Sequence, residues 1–177
     1  MPRRLTSVCL FTLAMLCAVQ VLGPLHVHAV ARAASGPAWD SVLKTPTQMP
    51  ALRRQDTPQA VVDEHLQAIN TCDWQRLMAQ YPPEVQFFLP GGQVVKGREA
   101  VGELFRNFVK PVKDGGLCGL KFDTENTFTV GDTINVQWRA TAPFLAEPYR
   151  GADAYVTKDG LMWAQVTTFD GAQIKKK

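Results

Sequence analysis

Apolar residues change their spacing part-way along the chain, and that change limits the fold more than any single motif does. Before Gly115-Gly116 they recur every three to four residues. Val61, Val62, Leu66, Ala68 and Ile69 make one helical stripe with His65 inside it, and Val101, Leu104, Phe105, Phe108 and Val109 make another. Thr57-Pro58 opens the first helix as a cap and a first-turn proline, and the stripe ends near Asn70. Asp73 caps a short helix carrying Trp74, Leu77, Met78 and Tyr81, which Pro82-Pro83 stops. Residues 85–89 are predicted as a strand, Pro90-Gly91-Gly92 as a turn, and residues 93–95 as a second strand before the third helix. After Gly115-Gly116 the period becomes two, which predicts strands at 117–129, 133–143, 152–158 and 161–169, with hairpin turns at Gly131-Asp132 and Lys158-Asp159-Gly160. Helices followed by a meander of long strands imply an α+β fold, a curved mixed or antiparallel sheet wrapped around three helices from the N-terminal half.

Ahead of this domain stands a leader. Arg3-Arg4 precede an uncharged apolar run over residues 5–22, and Ala31-Arg32-Ala33 has the A-x-A pattern of a cleavage site, so residues 1–33 read as a secretory signal peptide. A retained membrane anchor is the alternative, which Thr6, Ser7, Thr12 and Gln20 disfavour by diluting the run. Cys17 follows Leu16 and not a small residue, so no lipid anchor is expected. Residues 34–56 read as a flexible tether, 57–170 as one domain and 171–177 as a solvated basic tail. Export to the periplasm or beyond follows, and no later segment is apolar enough to cross a membrane. Removing the leader takes Arg3, Arg4 and Arg32 with it, leaving 16 basic against 16 acidic residues. Such a balance, without a basic run inside the domain, argues against nucleic acid as a partner. Cys72 and Cys118 remain; they form either one disulfide or two buried thiols, and their spacing is unlike a zinc or redox motif.

The order of these elements resembles the SnoaL-like branch of the nuclear-transport-factor-2-like superfamily. Carrying the resemblance are residues 65–70 (HLQAIN) with Asp73-Trp74, then Leu89-Pro90-Gly91-Gly92, Gly97-Arg98-Glu99-Ala100-Val101 and the Lys158-Asp159-Gly160 hairpin. The resemblance implies a cone closed by a bent sheet, an apolar small molecule in its pocket, and a homodimer through the sheet. It leaves the chemistry open, because isomerases, cyclases, dehydratases, epoxide hydrolases and non-catalytic proteins share this fold.

Two residues are candidates for catalysis. His65 is the only histidine after the leader, and its helix turns it towards the core. A core histidine satisfied by hydrogen bonding is the plain reading. In the resembling ketosteroid isomerases this helix position carries an oxyanion-binding tyrosine, which makes His65 a candidate donor or proton shuttle. Asp153 falls near the protonated acid of that oxyanion hole, a case long used to illustrate a neutral buried carboxyl. The departure is at Leu89-Pro90, where the isomerases place a proton-abstracting carboxylate that leucine cannot replace. An Arg-x-Asp pair of the epoxide-hydrolase kind is also missing, since Arg139 precedes Ala140 and Thr141. Phe87, Leu89, Trp138, Tyr155, Trp163 and Gln165 are the expected ligand-lining residues, with Thr167 on the parity of Gln165. With one histidine and no carboxylate cluster at ligand spacing, neither a metal nor another cofactor is expected.

Overall fold

A computed structural model describes residues 48–177. The expected signal peptide, and the expected tether up to residue 47, lie outside the described residues.

Helix α1 (Pro58–Asn70) begins as its sequence requires: the Thr57 hydroxyl accepts the Ala60 N–H at 3.1 Å, and Pro58 occupies the first turn. A left-handed Cys72 (φ 58°) reverses the chain into α2 (Trp74–Met78), capped by Asp73, whose carboxylate accepts the Arg76 N–H at 3.0 Å. Short strands β1 (Gln86–Phe88) and β2 (Val94–Lys96) lead to α3 (Arg98–Phe108). Four long strands follow: β3 (Lys121–Val130), β4 (Thr133–Thr141), β5 (Tyr149–Lys158) and β6 (Leu161–Phe169). They form one six-stranded sheet in the order β2-β1-β6-β5-β4-β3, antiparallel except where β1 joins β6 in parallel. This is the α+β arrangement expected from the change of period. Helix α1 packs across β3 to β6, and the core lies between them. Val61, Val62, Ala68 and Ile69 meet Ile134, Val136, Trp138 and Tyr155 there.

Strand β3 begins at Lys121, later than expected, because the preceding residues are engaged elsewhere. Leu117 and Cys118 donate their N–H groups to Phe108 and Lys110, and Cys118 forms a disulfide with Cys72 across 5.7 Å between Cα atoms. The open alternative for the two cysteines is thereby answered in favour of the bond.

Both ends of the described chain are held. Gln55 donates to the Gly160 carbonyl at 2.9 Å, Arg53 to Ala79 at 2.8 Å, and the Arg98 guanidinium grips the Pro50 and Met78 carbonyls at 2.7 Å each. Residues 50–55 therefore run along the domain as a fixed arm. The last residues are solvated as expected, apart from Ile174, yet their backbone is paired. Ala146 donates to Lys175 at 2.8 Å and Lys177 to Phe144 at 3.2 Å, with Lys175 paired to Glu147. Composition misses this because the contacts are made by the backbone and by Ile174, which packs on the core.

Candidate functional site

His65 is 1 % exposed, with Val61 and Val62 one turn before it and Ala68 and Ile69 one turn after. Its Nδ1 lies 2.9 Å from the hydroxyl of Tyr81, and the rings of Tyr155, Phe105 and Tyr81 surround it at centroid distances of 5.3, 6.0 and 6.2 Å. Burial disfavours the imidazolium and lowers the pKa to about 3, so the ring is neutral at physiological pH. Tyr81 was expected within the second helix. The helix instead ends at Met78, and the chain between it and Pro82-Pro83 delivers the phenol to His65.

Asp153 is 7 % exposed on the concave face of β5. The Tyr155 hydroxyl donates to its Oδ2 at 2.7 Å and Gln165 Nε2 donates to the same oxygen at 3.2 Å, while Gln165 also reaches Thr167 Oγ1 at 3.0 Å. Burial raises the Asp153 pKa, opposed by Tyr155 first and then by Trp138, Thr167 and Gln165. Desolvation, reinforced by the Asp153 charge, pushes Tyr81 and Tyr155 well above the ordinary phenol value, so both stay protonated. Asp153 Oδ1, Gln165 Oε1 and Trp138 Nε1 are buried without a hydrogen-bond partner.

His65 and Asp153 thus each bind a tyrosine and not one another, with Tyr155 bridging the distance: it hydrogen-bonds Asp153 and packs against His65. Phe87, Trp138, Tyr155 and Gln165 are buried on the concave side as their strand parity requires, and Leu89 packs at its margin. Trp163 stands apart. Val156 pairs with Ala164 but Thr157 with Met162, so Trp163 is the extra residue of a bulge and alternation through it breaks. Its indole N–H donates to the Lys158 carbonyl at 3.1 Å, and the Lys158 ammonium sits 5.4 Å from the ring.

The space expected to be a hollow is occupied around His65 by aromatic rings. An open groove of about 650 Å³ lies instead near the end of β4, β5 and β6, lined mainly by the outward-facing Glu125, Gln137, Arg150, Ala152 and Thr168, with Gly151 and Trp138 among the rest. Among the described residues, no three His, Cys, Asp or Glu side chains converge where a metal could be held.

Residues 62–165, spanning α1 through the Asp153 and Gln165 strands, match the SnoaL-like domain. The chain belongs to the SnoaL-like domain family. Solved structures agree on the fold of this SnoaL-like chain at low identity. An NTF2-like protein of unknown function from Cytophaga hutchinsonii is 16% identical, with a TM-score of 0.54 over 68% of this chain and 96% of its own. A computationally designed 17-OHP binder is 17% identical, with a TM-score of 0.56 over 70% and 98%. TerC, co-crystallised with polyporic acid, is 14% identical, with a TM-score of 0.52 over 65% and 92%. A comparison with curated protein sequences finds no match.

Proposed function

We propose that this SnoaL-like protein is an exported binder of a mostly apolar small molecule, of polyketide, terpenoid or steroid-like kind. The ligand is held on the concave side of the sheet against Asp153, Tyr155 and Gln165. The observation that carries this reading is Asp153, a buried carboxyl among aromatic side chains with one oxygen bound by Tyr155 and Gln165 and the other unpartnered. An unpaired buried polar group costs roughly 1–3 kcal/mol, which a ligand oxygen in that position offsets. The 17-OHP of the designed binder and the polyporic acid of TerC support a small organic ligand for this fold.

Acid–base isomerisation, cyclisation or dehydration without a cofactor is the second reading. It is favoured by the raised pKa of Asp153, which lets the carboxyl keep a proton to hand to a ligand oxygen. Binding is preferred because His65 is bonded to Tyr81, not to Asp153, and Leu89 occupies the position of the isomerase base.

Export rests on the leader sequence and is supported by the Cys72–Cys118 bond, since disulfides persist in oxidising compartments. Pairing of two copies through the sheet is supported by its convex face. Register aligns Val94, Phe88, Val166 and Ala154 across β2, β1, β6 and β5, and Asn135 then leads to Phe128, which is 56% exposed on β3. Sedimentation velocity checks this: Phe128→Lys converts a dimer to a monomer, and a wild-type monomer refutes it.

Native mass spectrometry of protein purified from its own cell envelope tests the ligand. An apolar compound retained by the wild type and lost from Asp153→Leu supports the reading. Recovery of that compound unchanged after incubation favours binding, and conversion favours the acid–base reading. Protein that carries no compound and extracts none from envelope lipids overturns both.

A further inference from the structure

We propose that a second copy of this chain pairs with the free edge of β3, antiparallel and about a two-fold axis through Phe128, so that two sheets join into one. This contact is separate from the packing of convex faces proposed above and stands without it.

Strand β3 is the last of the sheet, and its outer side can be read residue by residue. Both backbone groups of Phe122 turn away from β4: its N–H donates to Asn70 Oδ1 at 2.8 Å, and its carbonyl accepts from Asn70 Nδ2 at 3.0 Å. Outward and inward residues alternate along an antiparallel strand, so Thr124 also faces out. The bulge at Glu125 then shifts the alternation by one, since Thr124 pairs with Trp138 and Asn126 with Gln137. Thr127 and Thr129 are the outward residues beyond it. The side chain of Asn126 agrees, because its Oδ1 accepts the Thr127 N–H at 2.9 Å, a donor that a bond to β4 would have engaged.

Such an edge is usually closed by charge, proline or a covering element. Here Asn70 closes the start and the bulge interrupts the middle. Past it, residues 126–130 (NTFTV) carry no charge, are rich in β-branched and aromatic side chains, and are exposed on both faces. Thr127 and Thr129 stand opposite Val136 and Ile134 on the concave side, while Phe128 and Val130 stand on the convex side, 56% and 67% exposed.

What fits this stretch is the same stretch inverted. With the axis at Phe128, Thr127 meets Thr129 of the second copy, and as outward residues they exchange both backbone hydrogen bonds; symmetry repeats the exchange. Phe128 meets Phe128 of the second copy as a non-hydrogen-bonded pair, in which side chains come closest, and the two rings cover apolar surface that now faces water. Asn126 meets Val130 of the second copy and releases Thr127. No charges oppose one another within the paired stretch, and the carboxylates before it, Asp123 and Glu125, are neutralised by Arg139 and Arg150. A strand of another sequence would have to match this pattern, whereas a second copy matches it by symmetry.

Sedimentation velocity on the purified chain is the test. Thr127→Lys combined with Thr129→Lys sets ammonium groups opposite one another across the axis, on exposed positions, and should weaken association about tenfold or more. Thr127→Glu combined with Thr129→Glu should weaken it likewise, and mixing the two proteins should restore a mixed dimer, read by its mass in native mass spectrometry. Damage to the fold cannot produce that rescue. Thr129→Pro removes an outward N–H without costing a bond to β4 and should also weaken association. Val166→Lys, on the convex face of β6, should leave the edge contact intact. Wild-type association in the Lys and Pro variants, or a Lys and Glu mixture that stays unpaired, overturns the edge pairing. A wild type that sediments as a monomer overturns it together with the convex-face contact. Association lost in Val166→Lys and unchanged in Thr129→Pro overturns the edge and keeps the convex face alone.

Discussion

Lowering the pH from about 7 to about 4.5 should destabilise this fold through one side chain. In the unfolded chain His65 takes a proton near its ordinary value of 6.5, whereas in the folded chain burial keeps it neutral down to about 3. Between those values the unfolded state binds one more proton, so acid pulls the equilibrium towards unfolding. The stability is complete above 6.5, is lost progressively as pH falls, and falls no further from this group below about 3. At about 1.4 kcal/mol per pH unit, descending from 6.5 to 4.5 costs about 3 kcal/mol, a large fraction of the 5–15 kcal/mol typical of a domain. Asp153 works in the opposite sense. Its folded pKa is raised above 3.8, so the folded state takes that proton first and gains stability as pH falls through that folded value. His65→Gln removes the first effect and retains the second. Urea unfolding at the two pH values should therefore show the wild type losing about 3 kcal/mol more than His65→Gln. Parallel losses in the two proteins, or an NMR titration in which the folded imidazole protonates near 6.5, would refute the reasoning.

Reducing the Cys72–Cys118 bond, or replacing both cysteines by serine, should cost about 4 kcal/mol, the loop-closure entropy for a separation of 46 residues. A loss under about 1 kcal/mol in urea unfolding would mean that the unfolded chain already keeps these segments together. Gly160→Ala forces a side chain onto φ 72° and puts its Cβ 2.4 Å from the Gln55 carbonyl oxygen. A destabilisation of about 1–2 kcal/mol is expected, together with faster amide exchange at Gln55, and an unchanged exchange rate would contradict the docked arm. Asp153→Asn preserves an acceptor for Tyr155 and Gln165 while removing the ionisable group. Its stability at neutral pH should equal or exceed that of the wild type by thermal unfolding, and a loss beyond about 1 kcal/mol would mean that the carboxylate is stabilised as an anion.

The order of elements could be read from the sequence because its signals are local. Thr57-Pro58, Asp73 and Asp159-Gly160 act within one turn of the backbone, and the apolar stripes state their own period. What escaped reading depends on partners. Trp163 has the parity of Gln165 by count, yet the bulge that separates them exists only in the pairing of β6 with β5. The parallel joining of β1 to β6 and the backbone pairing of 144–146 with the last residues are likewise long-range. His65 and Asp153 were legible as buried polar groups. Their tyrosine partners were not equally so: Tyr155 follows from alternation two residues after Asp153, whereas Tyr81 depends on where α2 stops. Nor does a sequence state whether large rings facing one another leave space or fill it, since that depends on fit at the scale of a methylene group.

These residues together limit what the concave face can recognise. His65 is neutral, Tyr81 and Tyr155 hold their protons, and Asp153 is displaced towards its neutral form. The cationic side chains of β4 to β6, Arg139, Arg150 and Lys158, alternate with the concave residues and so face the other way, where Arg139 and Arg150 meet Asp123 and Glu125. An ionised ligand brought into this cluster would lose its hydration without gaining a counter-charge, a penalty of several kcal/mol. A neutral alcohol, ketone or enol loses far less, and Asp153 Oδ1, Gln165 Oε1 and Trp138 Nε1 offer it acceptors and a donor. In a matched series differing only in one group, a hydroxyl compound should therefore bind and its carboxylate analogue should not, by isothermal titration calorimetry at neutral pH. Tighter binding of the carboxylate would require a cation that this face does not present, and the assignment of the ligand site to it would fall.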